Sequence, residues 1–315
     1  MSARKRPKGV LGITLACIEG VARGRTEHAP AAAVEYPESV VRRTTFEAGG
    51  GHGWRISALE TPRDTPAPWK IVVITGAPSW AIYWADTLAE LPQNREMVVV
   101  DRPGYGSSQP SEPITDIRVQ AEALSPLLNA ARGQKVMLVG QSYGAAIASL
   151  MAEANPGKVQ SLVLLSGFFG ETGPTSRWLL DVGSKAMRVI PRDLRHAVIE
   201  ASGQKPQLAY AKRALASLTI PIHMIHGDQD DFAPIEVAER LAAETVTRQP
   251  ITFMRTAGAN HFLNDGPTEQ VLAALEACIP ARRSPWAFLR RWPKLLDFGL
   301  TRPVQFGAPE QTVGA

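Results

Sequence analysis

The chain has 315 residues, 44% hydrophobic and 20% charged, which supplies one sizeable α/β core and argues against a disordered or fibrous protein. The net charge of +4 and pI near 9.2 are mild for this length. The basic residues gather at the two ends and form no stripe beside stacking aromatics, so nucleic acid is not expected as a partner. Cys17 and Cys278 stand far apart, which indicates neither a disulfide framework nor a zinc site and is compatible with a reducing compartment.

Arg4, Lys5, Arg6 and Lys8 precede an apolar stretch from Val10 to Cys17, in the order of a secretory signal. Thr14 to Cys17 is similar to a lipoprotein cleavage site, but Thr14 replaces the usual leucine and Ile18 and Glu19 follow without a small-residue linker. Residues 1–39 are therefore read as a basic tail on a cytoplasmic protein, with export or lipid anchoring as the alternative.

Val40–Phe46 and Trp54–Leu59 predict an opening antiparallel pair around Gly49, Gly50, Gly51 and Gly53. Short apolar runs follow at Ile71–Ile74, Met97–Val100, Val136–Val139, Leu162–Leu165, Ile220–Ile225 and Ile251–Met254, as strands buried on both faces of a parallel sheet require. Helical patterns at Tyr83–Leu91, Ile114–Ala131, Tyr143–Ala154, Ile235–Ala243 and Glu269–Cys278 separate most of them. This alternation predicts a doubly wound, mostly parallel α/β sheet. It is interrupted once, by residues 170–217, where Trp178, Leu179, Leu180, Met187, Ile190, Leu194, Val198 and Leu208 fit two or three short helices. The insertion leaves from a strand's carboxyl end, where open sheets bind ligands, and is expected to form a short helical lid. A decoration remote from the site is the alternative.

The run Val136–Val139 enters Gly140, Gln141, Ser142, Tyr143 and Gly144, the pattern of a strand turning sharply into a helix with a serine exposed at the bend. A serine hydroxyl is a weak nucleophile and needs a base oriented by a third group. His261, in a loop of small residues after the last predicted parallel strand, is the base candidate. His226 lies near enough to line the site or to serve structure. His28, His52, His196 and His223 fall elsewhere. Asp228, Asp230 and Asp231 compete as the carboxylate in one turn after Ile220–Ile225, and Glu171 is a further candidate. Charge on an attacked carbonyl needs preorganised donors, for which the backbone amides of Tyr143 and Ala77 are the candidates.

Together these segments resemble the α/β-hydrolase superfamily across residues 40–279. GQSYG is similar to its nucleophile elbow, TGAPSWAIYW (Thr75–Trp84) to its HGxP loop and DRPGYGSS (Asp101–Ser108) to its D-x-P-G-x-G-x-S turn. GDQDDFAP (Gly227–Pro234) resembles its acid turn, and GANHF (Gly258–Phe262) its terminal histidine segment. The resemblance selects Asp230 as the acid and leaves Asp228 and Asp231 as capping or turn residues. Ser142, where dehalogenases and epoxide hydrolases of this fold carry aspartate, directs the expectation to an ester, thioester, amide or activated C–C bond. Thr75 departs from the histidine usual before the loop glycine. Asp101, Pro103 and Gly104 read as structural, and Tyr105 is expected to face the pocket.

Arg282–Phe298 interleaves basic residues and aromatics, suiting a strap on the main domain or an interfacial segment; Pro293 favours the strap. The tail from Thr301 is expected to be loosely ordered, within a C-terminal extension covering 280–315. The expected function is cleavage of a carboxylic ester through an acyl-enzyme on Ser142, His261 and Asp230, without cofactor or metal. The partner is a small acyl substrate, and only the termini would touch a membrane. The alternatives are acyl transfer or cofactor-free peroxidase chemistry, C–C or peptide-bond hydrolysis on the same residues, and a non-enzymatic small-molecule receptor.

Overall fold

A computed structural model describes residues 36–261, 268–279, 299–300 and 303–306. The apolar run before Cys17, Cys17 itself, Phe262 and the Arg282–Phe298 segment lie outside the described residues. Among the described residues, nine strands form one sheet: β1 (Arg42–Glu47), β2 (Arg55–Glu60), β3 (Trp69–Ile74), β4 (Arg95–Val100), β5 (Lys135–Gln141), β6 (Val159–Leu165), β7 (Ile222–Gly227), β8 (Ile251–Thr256) and β9 (Val304–Phe306). Their order is β1-β2-β4-β3-β5-β6-β7-β8-β9, parallel from β4 to β8 and antiparallel at both margins.

Strand residues alternate between the two faces, and both faces are covered, so the predicted runs are continuously apolar. Val72, Ile74, Leu138, Leu162, Leu164 and Met224 enter one core. There they meet α2 (Ile117–Leu124), α3 (Gly144–Ala154), α6 (Leu208–Ser217) and α7 (Ile235–Glu244). Ile71, Val73, Met137, Val139, Val163 and Ile225 enter the opposite core, against α1 (Ala85–Ala89) and α8 (Thr268–Ala277).

Several boundaries differ from expectation for local reasons. The helix expected over 114–131 starts at Ile117, behind Asp116, whose carboxylate accepts from the Arg118 amide. It turns into a 3₁₀ segment at Ser125–Leu128, because Pro126 has no amide to extend the α ladder. The 83–91 pattern splits into a 3₁₀ turn, Ala81–Trp84, and α1.

The 170–217 insertion contains α4 (Pro174–Lys185), α5 (Arg192–Gly203) and α6. Its last helix is part of the body, since Ala211, Ala214 and Leu215 are buried beside α3 in the core. The expectation of a loosely ordered tail from Thr301 fails for 304–306. β8 would otherwise leave one edge unpaired, and β9 covers it, with Phe306 edge-on to Phe253 at 5.9 Å. Leu300 is also buried, bridging to Thr256. Among the described residues, no helix is long and apolar enough to cross a membrane.

The central strand β5 passes into α3 with little clearance. A β-carbon on Gly140 would lie 2.6 Å from Ala145 Cα, and one on Gly144 would lie 2.3 Å from the Ile74 carbonyl oxygen. Gly144→Ala is expected to push α3 away from β3 and lower stability by about 1–3 kcal/mol, read from urea unfolding. An unchanged urea midpoint would contradict this approach.

Candidate active site

Strand β5 ends at Gln141, and α3 begins at Gly144. The intervening Ser142 has φ 52°, a left-handed backbone that non-glycine residues seldom adopt. Neighbouring backbone holds it there. Its amide donates to the Leu165 carbonyl at 2.9 Å, while its own carbonyl accepts from Ala145 at 3.0 Å and Phe168 at 3.1 Å. Gly76, at the end of β3, lies so close that a β-carbon there would stand 2.9 Å from Ser142 Cβ. The elbow therefore projects its hydroxyl beside the Thr75–Trp84 loop.

His261 bridges the two other candidate groups. The Ser142 hydroxyl is 2.8 Å from His261 Nε2, and His261 Nδ1 is 2.8 Å from Asp230 Oδ2. Nδ1 donating to the carboxylate leaves Nε2 as acceptor for the hydroxyl proton. The imidazole stacks on Phe232 at 5.3 Å, which limits its rotation. Its loop is pressed onto the end of β7: the Gln229 amide donates to Ala259, and a β-carbon on Gly227 would meet Ala259 O at 2.3 Å.

The three competing aspartates take separate tasks. Asp230 Oδ1 accepts from the amides of Phe232 and Ala233, leaving Oδ2 directed at His261. Asp228 accepts from the Gly258 amide at 2.7 Å and ties the acid turn to the histidine loop. Asp231 accepts from the Thr175 hydroxyl at the start of α4. Glu171 pairs with Arg240 at the surface, away from the serine row.

His226 is a functional neighbour that the sequence left undecided. Its Nε2 lies 3.0 Å from Asp230 Oδ2 and 2.7 Å from the Ala233 carbonyl, so one buried N–H serves both acceptors. Its position four residues before Asp230 was the available signal. Burial alone would raise the Asp230 carboxyl, but the His226 hydrogen bond and the charge and hydrogen bond of His261 outweigh it. The net effect holds Asp230 well below the ordinary carboxylate range.

The two amides proposed to face the substrate flank Ser142. Neither the Ala77 nor the Tyr143 N–H has an acceptor among the described residues. Thr75, in the position where the resemblance expects histidine, donates its hydroxyl to Val100 O at 3.0 Å and ties the loop base to β4. Asp101 accepts from the Ala81 amide and from Arg43, and Ser108 donates to Asp101 O, so this turn braces the loop as expected.

Tyr105 does not face the pocket. It is fully buried and donates to Glu200 at 2.7 Å, because α5 packs directly over this turn. Three buried residues of α5 at i, i+3 and i+7 bind the strand-end loops. Asp193 accepts from Trp80 Nε1 and the Gly106 amide, His196 Nδ1 meets Gly104 O, and Glu200 pairs with Arg102. In the sequence this polar stripe is a helical repeat interleaved with the apolar positions Leu194 and Val198. Trp178 of α4 is 62% exposed.

Depression of the Asp230 pKa adds stability that is complete above the unfolded carboxyl pKa, about 3.9, and fades as pH falls toward the lower folded value. The difference in melting temperature between wild type and Asp230→Asn should therefore be larger at pH 6 than at pH 3. Parallel melting curves across that interval would refute this assignment.

The sequence pattern of the α/β-hydrolase fold family matches residues 71–190, from β3 to the end of the α4–α5 connection. A pimeloyl-[acyl-carrier protein] methyl ester esterase of Pectobacterium carotovorum subsp. carotovorum (strain PC1) is 25% identical over 248 residues, covering 66% of this chain and 94% of the relative. A 2-hydroxymuconate semialdehyde hydrolase of Pseudomonas sp. (strain CF600) is 24% identical over 217 residues, covering 57% of this chain and 76% of the relative. The solved structure of a thermophilic esterase from Thermogutta terrifontis superposes with a TM-score of 0.59 at 19% identity, covering 74% of this chain and 96% of that one. This shared architecture, with the family pattern lying across its central strands, gives the chain the α/β-hydrolase fold.

Proposed function

We propose that the protein is a serine hydrolase that cleaves a carboxylic ester through an acyl-enzyme. The observation that carries this reading is the continuous row from Ser142 Oγ to His261 Nε2 and from His261 Nδ1 to Asp230 Oδ2, with both contacts at 2.8 Å. The two curated relatives described above, an esterase and a hydrolase, are consistent with that choice of chemistry.

In the first half-reaction His261 takes the hydroxyl proton as Ser142 Oγ attacks the ester carbonyl. The negative charge that develops on the carbonyl oxygen is met by the Ala77 and Tyr143 amides. His261 then protonates the departing alcohol, leaving Ser142 acylated. Water enters, gives its proton to His261 and attacks the acyl carbonyl; collapse releases the acid and restores the serine. Asp230 stays ionised throughout, orienting the ring and stabilising its transient positive charge. The ester is preferred to an amide because an alkoxide leaves with less demand for protonation than an amine.

Helices α4 and α5 roof the carboxyl ends of the strands and form the candidate lid. The three polar contacts of α5 make it the fixed part of that roof. The same row would serve acyl transfer if an acceptor alcohol displaced water, whereas a pure receptor has no need of an activated serine.

The test is turnover of p-nitrophenyl esters of increasing chain length, with Ser142→Ala as control. That variant should lose at least about 10³-fold in kcat while KM stays within about twofold, and a serine-directed phosphonate should add one label, at Ser142. Full turnover by Ser142→Ala, or a label on another residue, would overturn the proposal.

A further inference from the structure

Arg102 follows β4 directly and its side chain is completely buried, as is that of its partner Glu200 from α5. The guanidinium reaches three elements. Its Nη2 donates to the Gly76 carbonyl at 2.9 Å and to Glu200 Oε2 at 2.8 Å, Nη1 donates to Gln120 Oε1 at 2.6 Å and Glu200 Oε1 at 3.2 Å, and Nε lies 3.3 Å from Gly76 O. Its central carbon sits 4.5 Å from the Tyr105 ring and 4.9 Å from the Tyr143 ring. Arginine keeps its charge in such a setting.

Gly76 O and the Ala77 N–H belong to one planar peptide unit. That unit is trans, the cis bonds among the described residues being Ala77–Pro78 and Gln109–Pro110, so its carbonyl and its N–H point in opposite directions. A guanidinium fixed on Gly76 O therefore fixes the direction of the Ala77 N–H. It also draws electron density from that peptide, and hydrogen bonds in series strengthen one another. Gly76 lies against Ser142, with 3.4 Å between the serine Oγ and the place a glycine β-carbon would occupy. The same cation rests on the ring of Tyr143, whose backbone supplies the other proposed donor.

Resting on the serine-hydrolase reading above, we propose that Arg102 is a positioning residue for the oxyanion site. It aims and polarises the Ala77 amide through the Gly76 carbonyl and braces Tyr143, while Glu200 of the insertion holds it in place. Arg102 touches no reacting atom. Its effect is confined to the state in which the carbonyl oxygen carries charge, so it belongs in kcat and in tetrahedral-adduct binding more than in KM.

Removing Arg102 alone strands the buried Glu200 carboxylate and endangers folding. The informative variants are Arg102→Met combined with Glu200→Gln, which buries no lone charge, and Arg102→Lys, which keeps the charge but loses the planar fork. Both are assayed as full chains for ester turnover, inhibition by an alkylboronic acid and thermal unfolding. The expected result for the folded double variant is a fall in kcat of about 10²-fold with KM within about threefold, and a matching loss of boronate affinity. Arg102→Lys should fall between it and wild type. A purely structural role would lower the melting temperature and leave kcat and boronate affinity within about threefold of wild type in either folded variant. That outcome overturns the proposal. If wild type itself shows neither ester turnover nor phosphonate labelling, the serine-hydrolase reading fails and takes this inference with it.

Discussion

The site depends on one backbone constraint, the left-handed conformation of Ser142 between β5 and α3. A serine does not adopt that geometry without cost, which is of order 1–3 kcal/mol, and here three backbone hydrogen bonds from neighbouring elements enforce it. The enforcement needs close approach. Gly76, Gly140 and Gly144 let β3, β5 and α3 come nearer than any side chain would allow. Strain at the serine and the absence of β-carbons around it are therefore one feature. Together they place a hydroxyl at the rim of a rigid, two-sided core.

A second constraint is electrostatic and centres on Asp230. A buried carboxylate is unfavourable unless its oxygens are satisfied. Two backbone amides hold Oδ1, and two imidazoles share Oδ2. This full set of donors keeps the group ionised and fixes the direction in which it faces His261. Neither Asp228 nor Asp231 has such surroundings, although both lie within two residues. Each is occupied with joining segments: Asp228 joins the acid turn to the histidine loop, and Asp231 joins it to α4.

Over the site, α5 of the insertion is fastened by polar contacts, whereas α6 is fastened by apolar packing. Asp193, His196 and Glu200 project from one face of α5 into the loops after β3 and β4, and each reaches a backbone or side-chain partner there. Breaking the Arg102–Glu200 pair would leave an uncompensated charge in a dry interior, which opposes any lifting of α5. The roof and the loop carrying Ala77 thus share a charged joint.

The sequence by itself determined the order of strands and helices, the elbow at Ser142 and the choice of His261 as the candidate base. Each is a local pattern: runs buried on two faces must be continuously apolar, a tight strand-to-helix turn needs glycines at fixed offsets, and a histidine among small residues stands out. Resemblance to the superfamily then picked Asp230 from three neighbouring aspartates, which spacing alone left open. Tertiary structure decided what depends on partners distant in the chain. It buried Tyr105 beneath α5, turned Trp178 to solvent, returned residues 304–306 to the sheet edge and gave His226 a place on Asp230. It also paired Arg102 with Glu200, 98 residues apart. The value of a buried charge lies in the partner it finds, and no periodicity along the chain names that partner.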